Sequence, residues 1–134
     1  MLSQTGQYAL RAMGRLAAWR ADGQFHLARD IGRELVIPQQ YLSKVLHALA
    51  RKGLLDSQRG RQGGFRLSRP AAEISLHDVL DPLEDLSRFE ECLLGGVVCS
   101  DSRSCVIHDK WGKLREKYVD FLKKTTLDQL VISK

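Results

Sequence analysis

Residues 38–67 read PQQYLSKVLHALARKGLLDSQRGRQGGFRL, and this stretch decides the fold. Leu42, Val45, Leu46 and Leu49 recur at helical spacing, which predicts a helix over 38–52 with one apolar stripe. Pro38 suits the first helical position, where its missing N–H costs nothing, and Gly53 suits the stop. Gln39, Gln40, Ser43, Lys44, His47 and Arg51 fall outside the stripe. Residues 54–58 and 65–68 then read as two short strands around Arg59-Gly60-Arg61-Gln62-Gly63-Gly64, a hairpin whose tip is almost entirely glycine and cation.

Just upstream, Leu27, Ala28, Ile31 and Leu35 predict a shorter helix over 27–35, followed by a turn at Val36-Ile37-Pro38. Two helices joined by a tight turn, the second exposing amides and cations near its N-terminus, make a helix-turn-helix arrangement. Glutamine pairs with the N6/N7 edge of adenine, and Lys44 reaches guanine acceptors or phosphate. Tyr41 belongs either to the core or to a contact with the DNA backbone. The hairpin is then a wing laid along the duplex, with Arg59, Arg61, Arg66 and Arg69 on phosphates or in a minor groove. The expected contact residues are Pro38, Gln39, Gln40, Tyr41, Ser43, Lys44, Arg51, Arg59, Gly60, Arg61, Gly63 and Gly64. On its own, Gly63-Gly64 supports no more than an ordinary turn.

Charge is distributed to match. Residues 1–70 carry 12 Lys/Arg against 4 Asp/Glu, a net of +8, whereas residues 71–134 carry 9 against 12, a net of −3. The basic half is the one suited to a polyanion. At 134 residues the chain is long enough for one compact unit with its own core. Within it, residues 1–72 form the DNA-binding region, and residues 73–134 hold a cysteine loop and a long helix. The first helix, over 3–21, interrupts its apolar pattern with Arg11 and Arg15, so it resembles neither a signal peptide nor a membrane span. A cytoplasmic location with no membrane partner is expected.

In the second half, Ser75-x-x-Asp78 resembles a capping box, with Asp in place of the usual Glu or Gln, and Pro82 ends that helix near Asp81. After His108 the chain is helical again for about eighteen residues. Ile107, Trp111, Leu114, Tyr118 and Phe121 form a heptad stripe about 21 Å long on this last helix. The stripe suits a pairing with the first helix and with a second subunit.

All three cysteines lie between these helices, in C-LLGGVV-C-SDSRS-C-VI-H, from Cys92 through Cys99 and Cys105 to His108. Glycines and serines separate them, so the segment reads as a loop that curls around something. Three free thiols in a reducing compartment are either small buried hydrophobes or metal ligands. Three thiolates and one imidazole fit a Cys3His zinc site or an iron–sulfur cluster with mixed ligation.

Taken together, Y-A-L-R-A-M at 8–13, P-x-x-Y-L-x-K-V-L-x-x-L-x-x-K-G-L-L at 38–55, S-x-R-G-x-x-G-G-F-R-L-S-R-P at 57–70, the cysteine loop and T-T-L-x-x-L at 125–130 resemble the Rrf-type winged-helix regulators, the IscR/NsrR family. The resemblance spans nearly the whole chain. It implies a mainly α fold, a winged helix-turn-helix with a small two-stranded β wing and a long C-terminal dimerisation helix. It also implies a homodimeric transcriptional regulator that binds an imperfect inverted-repeat operator, with the state of a cluster altering DNA affinity or operator choice. A repressor is the expected sense of regulation, and RNA polymerase at promoters a further candidate partner.

By the same resemblance Cys92, Cys99 and Cys105 match the cluster thiolates, and His108 matches the histidine completing a [2Fe-2S] site. A [4Fe-4S] cluster is the alternative. In relatives that hold one, a carboxylate from the first helix of the partner subunit serves as a ligand, but this chain has no Asp or Glu before Asp22. The six-residue gap between the first two cysteines leaves the nuclearity open. Redox state, nitric oxide or iron supply would be the signal. Two further readings compete. One is a zinc- or thiol-based regulator on the same DNA-binding half. The other is a cluster enzyme or electron carrier, against which stands the absence of any base–nucleophile constellation.

Overall fold

A computed structural model describes residues 2–83 and 108–130. Helix α1 (Gln4–Trp19) starts where the Ser3 hydroxyl accepts from the Gly6 N–H at 3.1 Å. It ends two residues earlier than its apolar pattern suggested, because Arg20–Asp22 tighten into a 3-10 turn that Gly23 closes in the left-handed conformation. Helices α2 (Ala28–Leu35) and α3 (Gln39–Arg51) follow, with Leu27 and Pro38 as their N-caps. Pro38 therefore stands one position earlier than expected. Its ψ of 128° is not helical, and its carbonyl accepts the first helical bond from Leu42 N at 3.0 Å.

The turn between α2 and α3 is tightly determined. Val36 N–H and Ile37 N–H both donate to the Gly32 carbonyl, and the Arg11 guanidinium donates to the Leu35 carbonyl at 2.7 Å. A Cβ on Gly32 would stand 2.8 Å from the Ile37 carbonyl oxygen, so only glycine lets the chain fold back this closely. The turn forces Val36 to φ 58°, the one positive φ of a non-glycine among the described residues. For a β-branched residue that conformation costs roughly 1–2 kcal/mol.

Strands β1 (Leu55–Gln58) and β2 (Gly64–Leu67) pair antiparallel, Leu55 opposite Leu67 and Gln58 opposite Gly64. Leu54, expected to open the first strand, instead donates to the Leu49 carbonyl at the exit of α3 while accepting from Ser68 N. Helix α4 (Leu76–Leu80) opens on a reciprocal capping box: Ser75 N–H donates to the Asp78 carboxylate and Asp78 N–H to the Ser75 hydroxyl, both at 3.0 Å. It ends just before Pro82. Helix α5 (His108–Lys124) begins at His108, and a 3-10 turn over Leu127–Leu130 follows it.

One core joins these elements. Ala9, Ala12, Met13 and Leu16 of α1 meet Ile31, the α3 stripe, Leu55 and Phe65 of the hairpin, Val79 and Leu80 of α4, Leu122 of α5 and Leu127. The core thus runs across residue 72. Backbone bonds from Leu76 N to the Thr125 carbonyl and from Leu127 N to the Ile74 carbonyl, both 2.9 Å, tie the end of α5 to the entry of α4. No helix among the described residues is long and apolar enough to cross a membrane.

Candidate nucleic-acid interface

The outer face of α3 and the tip of the hairpin carry most of the expected contact residues. With Leu42, Val45, Leu46 and Leu49 buried, Pro38, Gln39, Gln40, Lys44, His47 and Arg51 are exposed and Ser43 is half-buried. Arg59, Gly60 and Arg61 are exposed at the wing tip, where Gly60 takes φ 101°. Between the two lies a groove of about 460 Å³. Its walls are the N-terminal end of α2 (Leu27, Ala28, Arg29), Gln39 and His47 of α3, and the hairpin from Ser57 to Gly60 with Gly64 and Phe65. Amides, cations and a histidine thus converge on one concave surface, as a duplex backbone and its base edges require.

Three other expected residues serve the scaffold. Tyr41 is engaged with α1: its hydroxyl is hydrogen-bonded to the Thr5 hydroxyl and its ring meets Tyr8 edge to face at 5.4 Å. Gly63 and Gly64 are buried. A Cβ on Gly63 would collide with the Gln58 carbonyl oxygen, and one on Gly64 with the His26 carbonyl.

Arg66 and Arg69 also differ from expectation. Arg66 lies opposite Asp56 in the ladder, 3.7 Å from its carboxylate, donates to the Gly23 carbonyl at 3.0 Å and covers the Phe25 ring at 4.3 Å. Arg69 stands 3.8 Å from Asp78. Strand alternation sends Arg66 sideways onto the connection between α1 and α2 at Gly23 and Phe25, leaving Arg59 and Arg61 as the outward cations of the wing.

Among the polar side chains lining the groove, Arg29, His47, Ser57 and Gln58 were not among the expected contacts. The His47 ring stands edge-on to Phe65 at 5.1 Å and joins α3 to the wing. Arg29 reaches the groove because His26, three residues earlier, pairs with Phe65. That long-range pairing has no local sequence signal. His26 itself is largely buried, stacked on Trp19 at 4.5 Å, with Nε2 3.2 Å from an Asp22 carboxylate oxygen but outside hydrogen-bond geometry.

Cys92, Cys99 and Cys105 lie outside the described residues, and His108 is placed as the first residue of α5. On α5, Leu114 and Phe121 are 59% and 55% exposed, while Trp111 and Tyr118 are half-buried. Ile107 of the expected stripe falls outside the described residues.

Residues 2–133 match the family model of Rrf2, described as iron-dependent transcriptional regulators. The chain belongs to the Rrf2 family. Among curated relatives of this Rrf2 regulator, the IscR transcriptional regulator of Pectobacterium carotovorum is 33% identical over 133 residues, covering 99% of this chain and 80% of the relative. Among solved structures, the oxidised form of Staphylococcus aureus CymR superposes with a TM-score of 0.78 at 28% identity, covering 100% of this chain and 98% of that one. CymR of B. subtilis, described as a global cysteine regulator, gives a TM-score of 0.81 at 24% identity, with 98% and 95% covered. The winged helix-turn-helix architecture is thus shared with these regulators. The chain is a DNA-binding transcriptional regulator of the Rrf2 type and not an enzyme.

Proposed function

We propose that this Rrf2 regulator is a homodimeric, cytoplasmic repressor whose grip on an imperfect inverted-repeat operator is set by a [2Fe-2S] cluster held by Cys92, Cys99, Cys105 and His108. The observation that carries the reading is the donor set: three thiolates and an imidazole within seventeen residues, ending on the first residue of α5. Soft thiolates with one nitrogen suit iron–sulfur iron, and the family's description as iron-dependent agrees. No Asp or Glu precedes Asp22, so α1 offers no carboxylate to a [4Fe-4S] site.

When bound, such a cluster supplies iron that responds to oxidants, nitric oxide and iron supply. The chain's own residues do the rest. Drawing Cys92, Cys99, Cys105 and His108 to one point constrains the N-terminus of α5, whose C-terminal end is already bonded to α4 through Thr125 and Leu76. The exposed Leu114 and Phe121 on α5 suit the partner subunit, so the pose of α5 sets the separation of the two α3 helices. Because tight binding needs both half-sites at once, a small change in that separation is worth the few kcal/mol typical of allosteric coupling.

A second reading, direct thiol chemistry at the same cysteines, is favoured by the likeness to S. aureus CymR in its oxidised form. Anaerobic purification with a visible spectrum and iron and sulfide counts separates the two. Charge-transfer bands with two irons and two sulfides per chain, altered in His108→Ala, are expected. Colourless protein without acid-labile sulfide after reconstitution would leave the thiol reading standing.

A further inference from the structure

We infer that Val36 is a specificity-determining residue that reads the 5-methyl group of a thymine in the operator. Three observations meet at this side chain. Its backbone is held at φ 58°, where glycine is favoured and a branched Cβ is not. The surrounding bonds, from Val36 and Ile37 to the Gly32 carbonyl and from Arg11 to Leu35, leave that conformation no alternative. Val36 is 88% exposed, the largest exposure among the described large hydrophobics, while Ile37 beside it is 4% exposed and anchored in the core.

The chain therefore keeps a strained, water-exposed branched apolar residue where glycine would be better for both backbone and solvation. Strain of this kind persists where function uses it. The position says which function. Val36 precedes the α3 N-cap by two residues and is exposed, as Gln39 and Gln40 are, and the N-terminal residues of such a helix meet base edges in the major groove. An apolar side chain finds one apolar group there, the thymine methyl. The amides of Gln39 and Gln40 suit adenine, so all three side chains favour A·T pairs at this end of the helix.

The inference rests on α3 being the reading helix, and the controls separate the two. Duplexes selected by the full-length protein from a random pool are resynthesised with deoxyuridine replacing each thymine in turn, which removes only the methyl. Wild-type protein is expected to lose about fourfold in affinity at one thymine position, the value of one methyl taken from water. Val36→Gly should lose a similar factor on the thymine duplex and become indifferent to deoxyuridine there, while melting no lower than wild type. Val36→Ala, which keeps the Cβ and removes both methyls, should behave likewise in binding. Wild-type affinity in both variants, or unchanged deoxyuridine penalties at every position, would overturn the assignment of Val36. Unchanged binding by Gln40→Ala and Lys44→Ala would instead overturn the placement of α3.

Discussion

His26 and Phe65 exchange two backbone hydrogen bonds, at 2.9 and 2.8 Å, which makes the residue leading into α2 a one-residue third strand of the wing. The wing and the entry of the helix-turn-helix therefore move as one piece, and the groove between them has a set width. Gly64, next to Phe65, makes the contact possible: its φ is 117°, and a Cβ there would strike the His26 carbonyl. Gly64→Ala is expected to cost about 2–4 kcal/mol, combining backbone strain with the broken pairing. Urea unfolding measures it, and a loss below ~1 kcal/mol would mean the pairing is dispensable.

The wing arginines divide by role. Arg59→Ala and Arg61→Ala should each reduce the slope of log K against log salt by about 0.9, one phosphate contact apiece, with the unfolding midpoint unchanged. Arg66→Ala should do the reverse, because Arg66 is engaged with Asp56, the Gly23 carbonyl and Phe25. Titrations at several salt concentrations beside a thermal melt distinguish the two classes.

Helix α4 is only five residues long, so its start matters more than its propensity. Ser75→Ala removes the hydroxyl that accepts from Asp78 N–H and should cost about 1 kcal/mol. Ser75→Asn, another good cap, should recover most of it. Equal stability of the alanine and asparagine variants in chemical denaturation would count against the cap.

On α5, Leu114 and Phe121 stand one heptad apart and are more than half exposed. A Leu114→Glu/Phe121→Glu double variant should sediment as a monomer at micromolar concentration with its helical circular dichroism intact. A variant that still sediments as a dimer would place the subunit contact elsewhere. Leu122, next to Phe121 but 2% exposed, is the contrasting control: Leu122→Ala opens the protomer's own core and should cost about 2–5 kcal/mol without separating subunits directly.

Local chemistry alone specified much of the protein. The α3 stripe follows from the 3.6-residue period, the ends of α4 from Ser75 and Pro82, and the hairpin from its glycines and flanking alternation. The outward amides of α3 and the confinement of the cysteines ahead of α5 are likewise properties of neighbouring residues. Tertiary structure decided what depends on residues distant in the chain. It withdrew Arg66 onto Asp56 and Phe25, turned Tyr41 toward Thr5, buried Gly63 and Gly64 as spacers, and brought Arg29 to the wing through His26 and Phe65. It also left Val36 strained and exposed, because hydrogen bonds to Gly32 and Leu35, together with the burial of Ile37, hold the turn regardless of what Val36 prefers. Periodicity reports which face of an element is apolar; which polar groups are spent on the scaffold and which remain for DNA depends on how the elements pack.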